Sequence, residues 1–197
     1  MHTDRRSLLK LGLALTTGSA AASVSGRSLA GSELLSRAVV TPAVPAGPDR
    51  RLRLVNAHTW EKLDLTYWTD GTYLDSAIEQ INTLMRDHRA NKTRQMDLDL
   101  LDYLHSLYQL VGTDERIHVL SGYRTAATNA ALRARSSGVA KYSLHMEGRA
   151  VDINIPTVPT KTVREAAISL QSGGVGYYRK SGFVHIDTGN VRYWQQQ

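Results

Sequence analysis

The 197-residue chain contains no cysteine. Structural disulfides, iron–sulfur clusters and thiolate zinc sites are therefore excluded, because each of them requires cysteine sulfur. Any metal that this protein binds must be held by histidine nitrogens, carboxylate oxygens and water. The absence does not identify a compartment, since a cysteine-free chain suits reducing and oxidising spaces equally.

The chain also lacks a large excess of one charge. Its formal net charge is +6, and a net of +3 comes from residues 1–30, which hold four basic residues against one acidic residue. The +3 that remains suits an anionic surface or polymer but is too small to predict nucleic-acid binding. Single-strand binders use a strip of interleaved basic and aromatic residues, and the sequence has none. We expect no nucleic-acid partner.

Long apolar runs are missing as well, and no segment after the leader reaches the roughly 18 apolar residues that a membrane span needs. The first 30 residues have the three parts of an export signal: a basic start, an apolar stretch rich in small residues, and "SLA" at 28–30 as a cleavage site. Arg5 and Arg6 make this segment resemble a twin-arginine signal. We therefore predict a signal peptide over residues 1–30 and a periplasmic protein without a membrane span. The alternatives are an earlier cut near Ala20–Ala22, and an amphipathic or disordered N-terminus.

The rest of the chain divides into a linker and one domain. Three prolines in "VVTPAVPAGPD" predict an extended linker over residues 31–50. Within residues 51–197, a strand hairpin is predicted in "RLRLVNAHTWEKLDLTYW". Helices are predicted in "YLDSAIEQINTLMRDHRAN", "MDLDLLDYLHSLYQLVG", "AATNAALRARSSG" and "TKTVREAAISLQSGG", the last three ending at glycines. Further strands joined by tight turns are predicted in "RIHVLSGY", "RAVDINI", "GVGYY", "GFVHID" and "VRYW". The fold class is α+β, with a central antiparallel sheet and flanking helices in a single domain.

Two short segments contain candidate metal ligands. "SLHMEGRAVDI" holds His145 and Asp152 seven residues apart, with small residues between them that let the backbone pass close to a bound ion. "VHID" holds His185 and Asp187, which project to the same face of a strand. His145, Asp152 and His185 would offer two nitrogens and one oxygen, the donor set of catalytic zinc sites that keep a fourth position for water. From spacing alone, two surface histidines and a salt-bridged aspartate remain an equal alternative.

A longer pattern favours the metal site. The segments "SGYRTAATNAALRARSSGVAKYSLHMEGRAVDINI" and "GGVGYYRKSGFVHIDTGNVRYW" resemble the zinc D-alanyl-D-alanine carboxypeptidase-like peptidases of bacterial cell walls, and within that group the murein endopeptidase K branch. The resemblance extends back through "DHRANKTRQMDLDLLDYL" and "LVNAHT", so it covers nearly all of the chain after the leader. The S-x-H-x-x-G-x-A-x-D pattern is present as Ser143, His145, Gly148, Ala150 and Asp152.

This resemblance implies a hedgehog/DD-peptidase-like fold and a zinc ion bound by His145, Asp152 and His185. Zinc in such a site lowers the pKa of its water and polarises the scissile carbonyl. The resemblance also implies that Arg124, in "SGYR", holds the substrate and the developing oxyanion. A surface ion pair is the alternative for Arg124.

The sequence departs from the group at one position. Several relatives place a carboxylate three residues before the last histidine ligand as the general base, whereas this chain has Gly182 there. Asp187 is the nearest carboxylate in sequence, and we predict that it takes the catalytic base role or orients His185. A purely structural pair with Arg192 is the alternative.

The predicted function is a zinc-dependent murein endopeptidase that hydrolyses peptide crosslinks of peptidoglycan outside the cytoplasm. A D-alanyl-D-alanine-type carboxypeptidase is one alternative, because the sequence does not show whether the cleft is open at both ends. A non-catalytic peptidoglycan-binding module on the same scaffold is the other, and only Gly182 favours it. We expect a monomer, since nothing in the sequence indicates a dimer interface.

Overall fold

A computed structural model describes residues 47–136 and 138–196. The predicted signal peptide and all but the last residues of the predicted linker lie outside the described residues. The described chain forms eight strands and four α-helices: β1 Arg50–Asn56, β2 Lys62–Thr69, β3 Thr72–Tyr73, α1 Asp75–Leu84, α2 Leu98–Val111, β4 Ile117–Ser121, α3 Ala126–Arg135, β5 Ala150–Asn154, α4 Thr160–Leu170, β6 Gly174–Tyr178, β7 Phe183–Asp187 and β8 Arg192–Gln196. None of the helices in this part of the chain is long and apolar enough to cross a membrane.

All eight strands belong to one sheet in the order β3-β2-β1-β4-β5-β7-β6-β8. The predicted α+β class is confirmed, and the predicted hairpin is the antiparallel pair of β1 and β2. Two neighbouring pairs, β1 with β4 and β6 with β8, are parallel, which the prediction of an antiparallel sheet did not include. A parallel pair needs a long crossover, and the segment from β1 to β4 supplies one through the hairpin and two helices.

Helix ends follow the capping signals in part. Helix α2 begins after Asp97, whose side chain accepts a hydrogen bond from the backbone N–H of Asp99, and it ends at Gly112 in the left-handed conformation. Both ends lie within the predicted segment, and Gly112 is the predicted glycine stop. The predicted glycine stops of α3 and α4 are wrong: α3 ends at Arg135, and α4 ends at Leu170. The residue after α4, Gln171, adopts the left-handed conformation.

The two faces of the sheet have different roles. Helices α2 and α4 contact each other and the sheet, and together they enclose a core that includes the fully buried Val151 and Ile153. Side chains alternate along a strand, so Asp152 points to the opposite face. That face carries the cleft described next.

Candidate metal centre and active-site cleft

Three predicted ligands meet at one point. His145 lies in a 3₁₀ turn, Leu144–Glu147, while Asp152 and His185 are the third residues of β5 and β7 and are register partners across those strands. The Nε2 atom of His145 lies 3.2 Å from Nδ1 of His185 and 3.3 Å from Oδ1 of Asp152. Nδ1 of His185 lies 2.8 Å from the same oxygen. Within the described residues this is the group of histidine and carboxylate side chains whose geometry suits a metal ion.

The orientation of His145 is set by the loop after β4. Its Nδ1–H donates a hydrogen bond to the backbone carbonyl of Gly122 at 2.7 Å, so the lone pair lies on Nε2, which faces the other two ligands. Burial lowers the pKa of His145, which keeps the ring neutral and able to coordinate a cation.

Gly148 closes the turn that carries His145, in the left-handed conformation with φ +75°. A Cβ atom there would lie 2.5 Å from the backbone carbonyl oxygen of Gln95. The sequence interpretation that this glycine makes room for a bound ion is therefore wrong. It makes room for the segment that leads into α2.

The orientation of His185 is set by Asp187. The Nε2–H of His185 donates to Oδ2 of Asp187 at 2.9 Å, which leaves the lone pair on Nδ1, facing His145 and Asp152. Asp187 is fully buried and also accepts hydrogen bonds from both terminal nitrogens of Arg192, at 2.9 and 2.7 Å, and from the backbone N–H groups of Gly174 and Gly189. Burial alone would raise the pKa of Asp187, but the hydrogen bonds from His185 and Arg192 hold it well below its usual range. Both carboxylate oxygens are occupied.

Asp152 is held by Arg124. While Oδ1 faces the histidines, Oδ2 accepts a hydrogen bond from Nη2 of Arg124 at 2.8 Å, and Nε of Arg124 donates to Oγ of Ser121, also at 2.8 Å. The backbone N–H of Arg124 donates to the carbonyl of His145. Arg124 is 9% exposed, so it is not the surface ion pair that the sequence left open.

These donors fit a bound zinc ion. Two imidazole lone pairs and a carboxylate oxygen point at each other in a buried space, an arrangement that is repulsive unless a cation or proton lies between them. Zinc with donor distances of about 2.0–2.1 Å in tetrahedral geometry places neighbouring donors about 3.3 Å apart, and two of the three separations agree with this value. Burial lowers the pKa of His185, but hydrogen bonds to Asp152 and Asp187 raise it overall. A proton on Nδ1 of His185 can therefore take the place of the cation between this ring and Asp152.

The three ligands lie in a cleft of about 520 Å³. Its lining includes residues 138–140 and 142–144 as well as residues of β6, β7 and β8. Three arginines line the cleft, Arg89, Arg124 and Arg192, against two carboxylates among the described residues, Asp152 and Asp187. Arg124 pairs with Asp152 and Arg192 pairs with Asp187. The cleft therefore has an excess of one arginine, Arg89, and this positive charge suits an anionic substrate.

Gly182 occupies the position where the resemblance led us to expect a general base. Gly182 has φ +69° in the turn between β6 and β7, and nothing lies within 4 Å of the place where its Cβ would be. The carboxylate that the resemblance led us to expect at this position is therefore absent, and the carboxylates that line the cleft among the described residues are Asp152 and Asp187.

The sequence analysis did not identify the residues that orient the ligands by hydrogen bonds or by packing against them. The carbonyl of Gly122 and the hydroxyl of Ser121 gave no signal, because their roles depend on a bulge where β4 pairs with β5. Trp194 also lies against the site, with its ring centroid 5.2 Å from that of His185. The alternation of glycines in "GGVGYY" was a signal in the sequence, because glycines on one face of a strand leave space for long side chains of a neighbouring strand. The structure shows that "VRYW" belongs to that neighbouring strand.

Comparison with known proteins agrees with this geometry. A family model described as peptidoglycan L,D-endopeptidase MepK matches residues 44–194. Proteins named peptidoglycan L,D-endopeptidase MepK from Escherichia coli strain K12 and from Shigella flexneri are each 40% identical over 191 residues, 97% of this chain and 97% of theirs.

The chain belongs to the MepK family. A Haemophilus influenzae relative is also 40% identical, over 147 residues that make up 74% of this chain and 79% of its own. MepK proteins are peptidases of a metal-dependent group, and the described residues bring together a candidate metal site of the required kind.

Proposed function

We propose that the protein is a zinc-dependent endopeptidase that hydrolyses L,D peptide bonds in the crosslinks of peptidoglycan. Membership of the MepK family supports the reaction and the substrate. The observation that carries the proposal is the convergence of Nε2 of His145, Nδ1 of His185 and Oδ1 of Asp152, with both imidazole lone pairs directed inward. Two nitrogens and one oxygen leave room for water and substrate, as catalytic zinc requires.

His145, Asp152 and His185 are the proposed ligands. Bound zinc would supply a Lewis acid for the scissile carbonyl and a water of lowered pKa. The protein contributes the fixed orientation of each ligand: the carbonyl of Gly122 for His145, and the carboxylate of Asp187 for His185. Partners of this kind hold the correct tautomer and make the ligand more basic.

Arg124 has two proposed tasks. Its Nη2 holds the carboxylate of Asp152, which fixes the ligand and balances the negative charge. Its guanidinium also lines the cleft beside the ligands, where a fixed positive charge stabilises an oxyanion that develops on the substrate.

For Asp187 the geometry favours orientation over general base catalysis. A general base must have a free oxygen within hydrogen-bond reach of the water that it deprotonates. Asp187 is fully buried, and its oxygens accept five hydrogen bonds. We therefore assign it the role of holding the Nε2 proton of His185.

The reaction places the protein outside the cytoplasm. Peptidoglycan lies there, and the leader with Arg5 and Arg6 supports export by the twin-arginine route to the periplasm. Replacing both arginines by lysine should stop the export of folded protein. Continued export of this variant would refute the twin-arginine route. We propose a monomer as the working form.

The proposal is tested by digestion of purified crosslinked muropeptides, with products identified by mass. Three samples are compared: zinc-loaded protein, the same protein with chelator, and His185→Ala. We expect crosslinked dimers to disappear only in the first. Release of free D-alanine from intact dimers would identify a carboxypeptidase instead. One equivalent of bound zinc without any cut bond would identify a binding module.

A further inference from the structure

The C-terminal strand β8 is the outermost strand of the sheet, yet it lies beside the candidate metal centre. It pairs in parallel with β6, and the register places Trp194 opposite Gly176. The register of β6 with β7 places the same glycine opposite His185. Trp194, Gly176 and His185 therefore form one row across three strands on the cleft face of the sheet.

The glycine in the middle of this row lets the two outer side chains meet. The indole of Trp194 leans over Gly176, and its centroid comes to 5.2 Å from the imidazole centroid of His185. A Cβ atom at position 176 would lie 2.5 Å from two carbon atoms of the indole ring. No other residue type at position 176 leaves the indole where it is.

The next row of the sheet repeats the arrangement. Arg192 lies opposite Gly174, which lies opposite Asp187, and the guanidinium reaches over the glycine to the carboxylate. A Cβ at position 174 would lie 2.5 Å from Nη1 of Arg192. Two side chains of β8 thus cross two alternate glycines of β6 to reach two residues of β7.

The indole is held in place at both ends. Its Nε1–H donates to the hydroxyl of Tyr178 at 3.3 Å. The guanidinium carbon of Arg192 lies 5.1 Å from the ring centroid, within the range of cation–π attraction. A side chain fixed in this way presents a rigid surface to His185.

We propose that Trp194 is a positioning residue of the metal centre. Asp187 holds one edge of the His185 imidazole, and the indole limits rotation of that ring. Nδ1 of His185 therefore keeps facing the metal position that it shares with His145 and Asp152. The indole also covers the hydrogen bond between His185 and Asp187, which strengthens when water is kept away from it. Residues that support a ligand in this way typically change metal affinity about 10–100-fold when they are replaced. The inference rests on the proposed zinc site.

The test measures the zinc affinity of the full-length protein, prepared without metal, by competition with a chromophoric chelator. Trp194→Leu removes the indole, and Gly176→Ala displaces it while leaving the tryptophan in the chain. We expect both variants to bind zinc about tenfold more weakly than wild type, and Trp194→Phe to keep most of the affinity. Tyr193→Leu is the matched control, because Tyr193 is on the same strand but reaches the backbone of Ile168 on the other face.

Several results would overturn the inference. The inference is wrong if Trp194→Leu and Gly176→Ala bind zinc as tightly as wild type. This holds even if the KM for muropeptides rises in these variants. An equal loss of affinity in Tyr193→Leu would show that β8 acts through stability alone, and thermal unfolding of the metal-free variants checks this. Failure of the wild-type protein to bind zinc would refute the proposed metal centre itself, before any variant is compared.

Discussion

Replacing Asp187 by asparagine separates the two roles that the sequence left open for this residue. The side chain keeps its size, but one acceptor oxygen becomes an N–H₂ donor. Oδ1 accepts from three donors, the backbone N–H groups of Gly174 and Gly189 and Nη1 of Arg192, so the amide oxygen should take this side. The amide nitrogen then faces Nε2 of His185, which must give up its proton to accept.

The consequence reaches the metal site through the imidazole. If Nε2 accepts, the ring proton moves to Nδ1, which lies 2.8 Å from Oδ1 of Asp152 and loses the lone pair that it would offer to zinc. We expect zinc affinity to fall about 10–100-fold, which corresponds to about 1.4–2.7 kcal/mol. The loss of hydrogen bonds to a charged group should lower the free energy of unfolding by about 1.5–3 kcal/mol.

The assay combines chelator competition with hydrolysis of muropeptides at saturating zinc. Asp102→Asn is the matched control. Asp102 is a partly buried aspartate that pairs with Arg50 and two tyrosines, and it does not line the metal cleft. It should lose stability but keep zinc affinity. Our reasoning is wrong if Asp187→Asn binds zinc as tightly as wild type and yet hydrolyses nothing. That result would make Asp187 the general base.

Three further predictions concern other positions. Arg124→Met should lower both zinc affinity and kcat, because Asp152 loses its hydrogen-bond partner. Arg124→Lys should recover part of each. Unchanged kinetics in the methionine variant would refute the proposed roles of Arg124. Gly148→Ala should destabilise the protein by more than about 2 kcal/mol, because a left-handed alanine costs about 1–2 kcal/mol and its Cβ also clashes with the backbone of Gln95. Gly182→Ala has a similar φ but lies in open space, so it should cost only the strain. Equal losses of stability in thermal unfolding would contradict this difference. Burial would raise the pKa of Asp102, but hydrogen bonds from Arg50 and the tyrosines lower it, so it stabilises the fold above its unfolded pKa of about 3.9 and loses that contribution as pH falls through the lower folded value. The stability difference between wild type and Asp102→Asn should therefore be largest near neutral pH and vanish in acid, and a constant difference across the range would refute this linkage.

Much of the fold follows from local patterns in the sequence. Helix α2 has a capping aspartate and a terminal glycine, and both signals act within a few residues, so its ends could be predicted. Strand pairing is different, because alternation gives the face of each side chain but not the neighbouring strand. The parallel pairing of β8 with β6 therefore came only from the structure.

The candidate site divides in the same way. The motif around His145 and Asp152, together with "HID", identified the three residues that the structure brings together. The partners that orient them come from elsewhere in the chain: Gly122 for one histidine, and Arg124 for the carboxylate. Spacing cannot reveal such partners, because each depends on how β4 and β5 are aligned. The predicted glycine stop of α4 is wrong for a related reason. Gly174 belongs to β6, and its missing side chain leaves the space through which Arg192 reaches Asp187.

The central claim is that this cleft cuts a specific bond of peptidoglycan with a metal held by two histidines and an aspartate. The most direct measurement is the mass of the products from two purified dimers, one joined by an L,D peptide bond and one by a D,D bond, after incubation with zinc-loaded protein. We predict that the L,D-linked dimer is converted into its two monomers without release of free D-alanine, and that chelator or His145→Ala abolishes this conversion. An intact L,D-linked dimer with zinc bound, or conversion that continues in His145→Ala, would contradict the account.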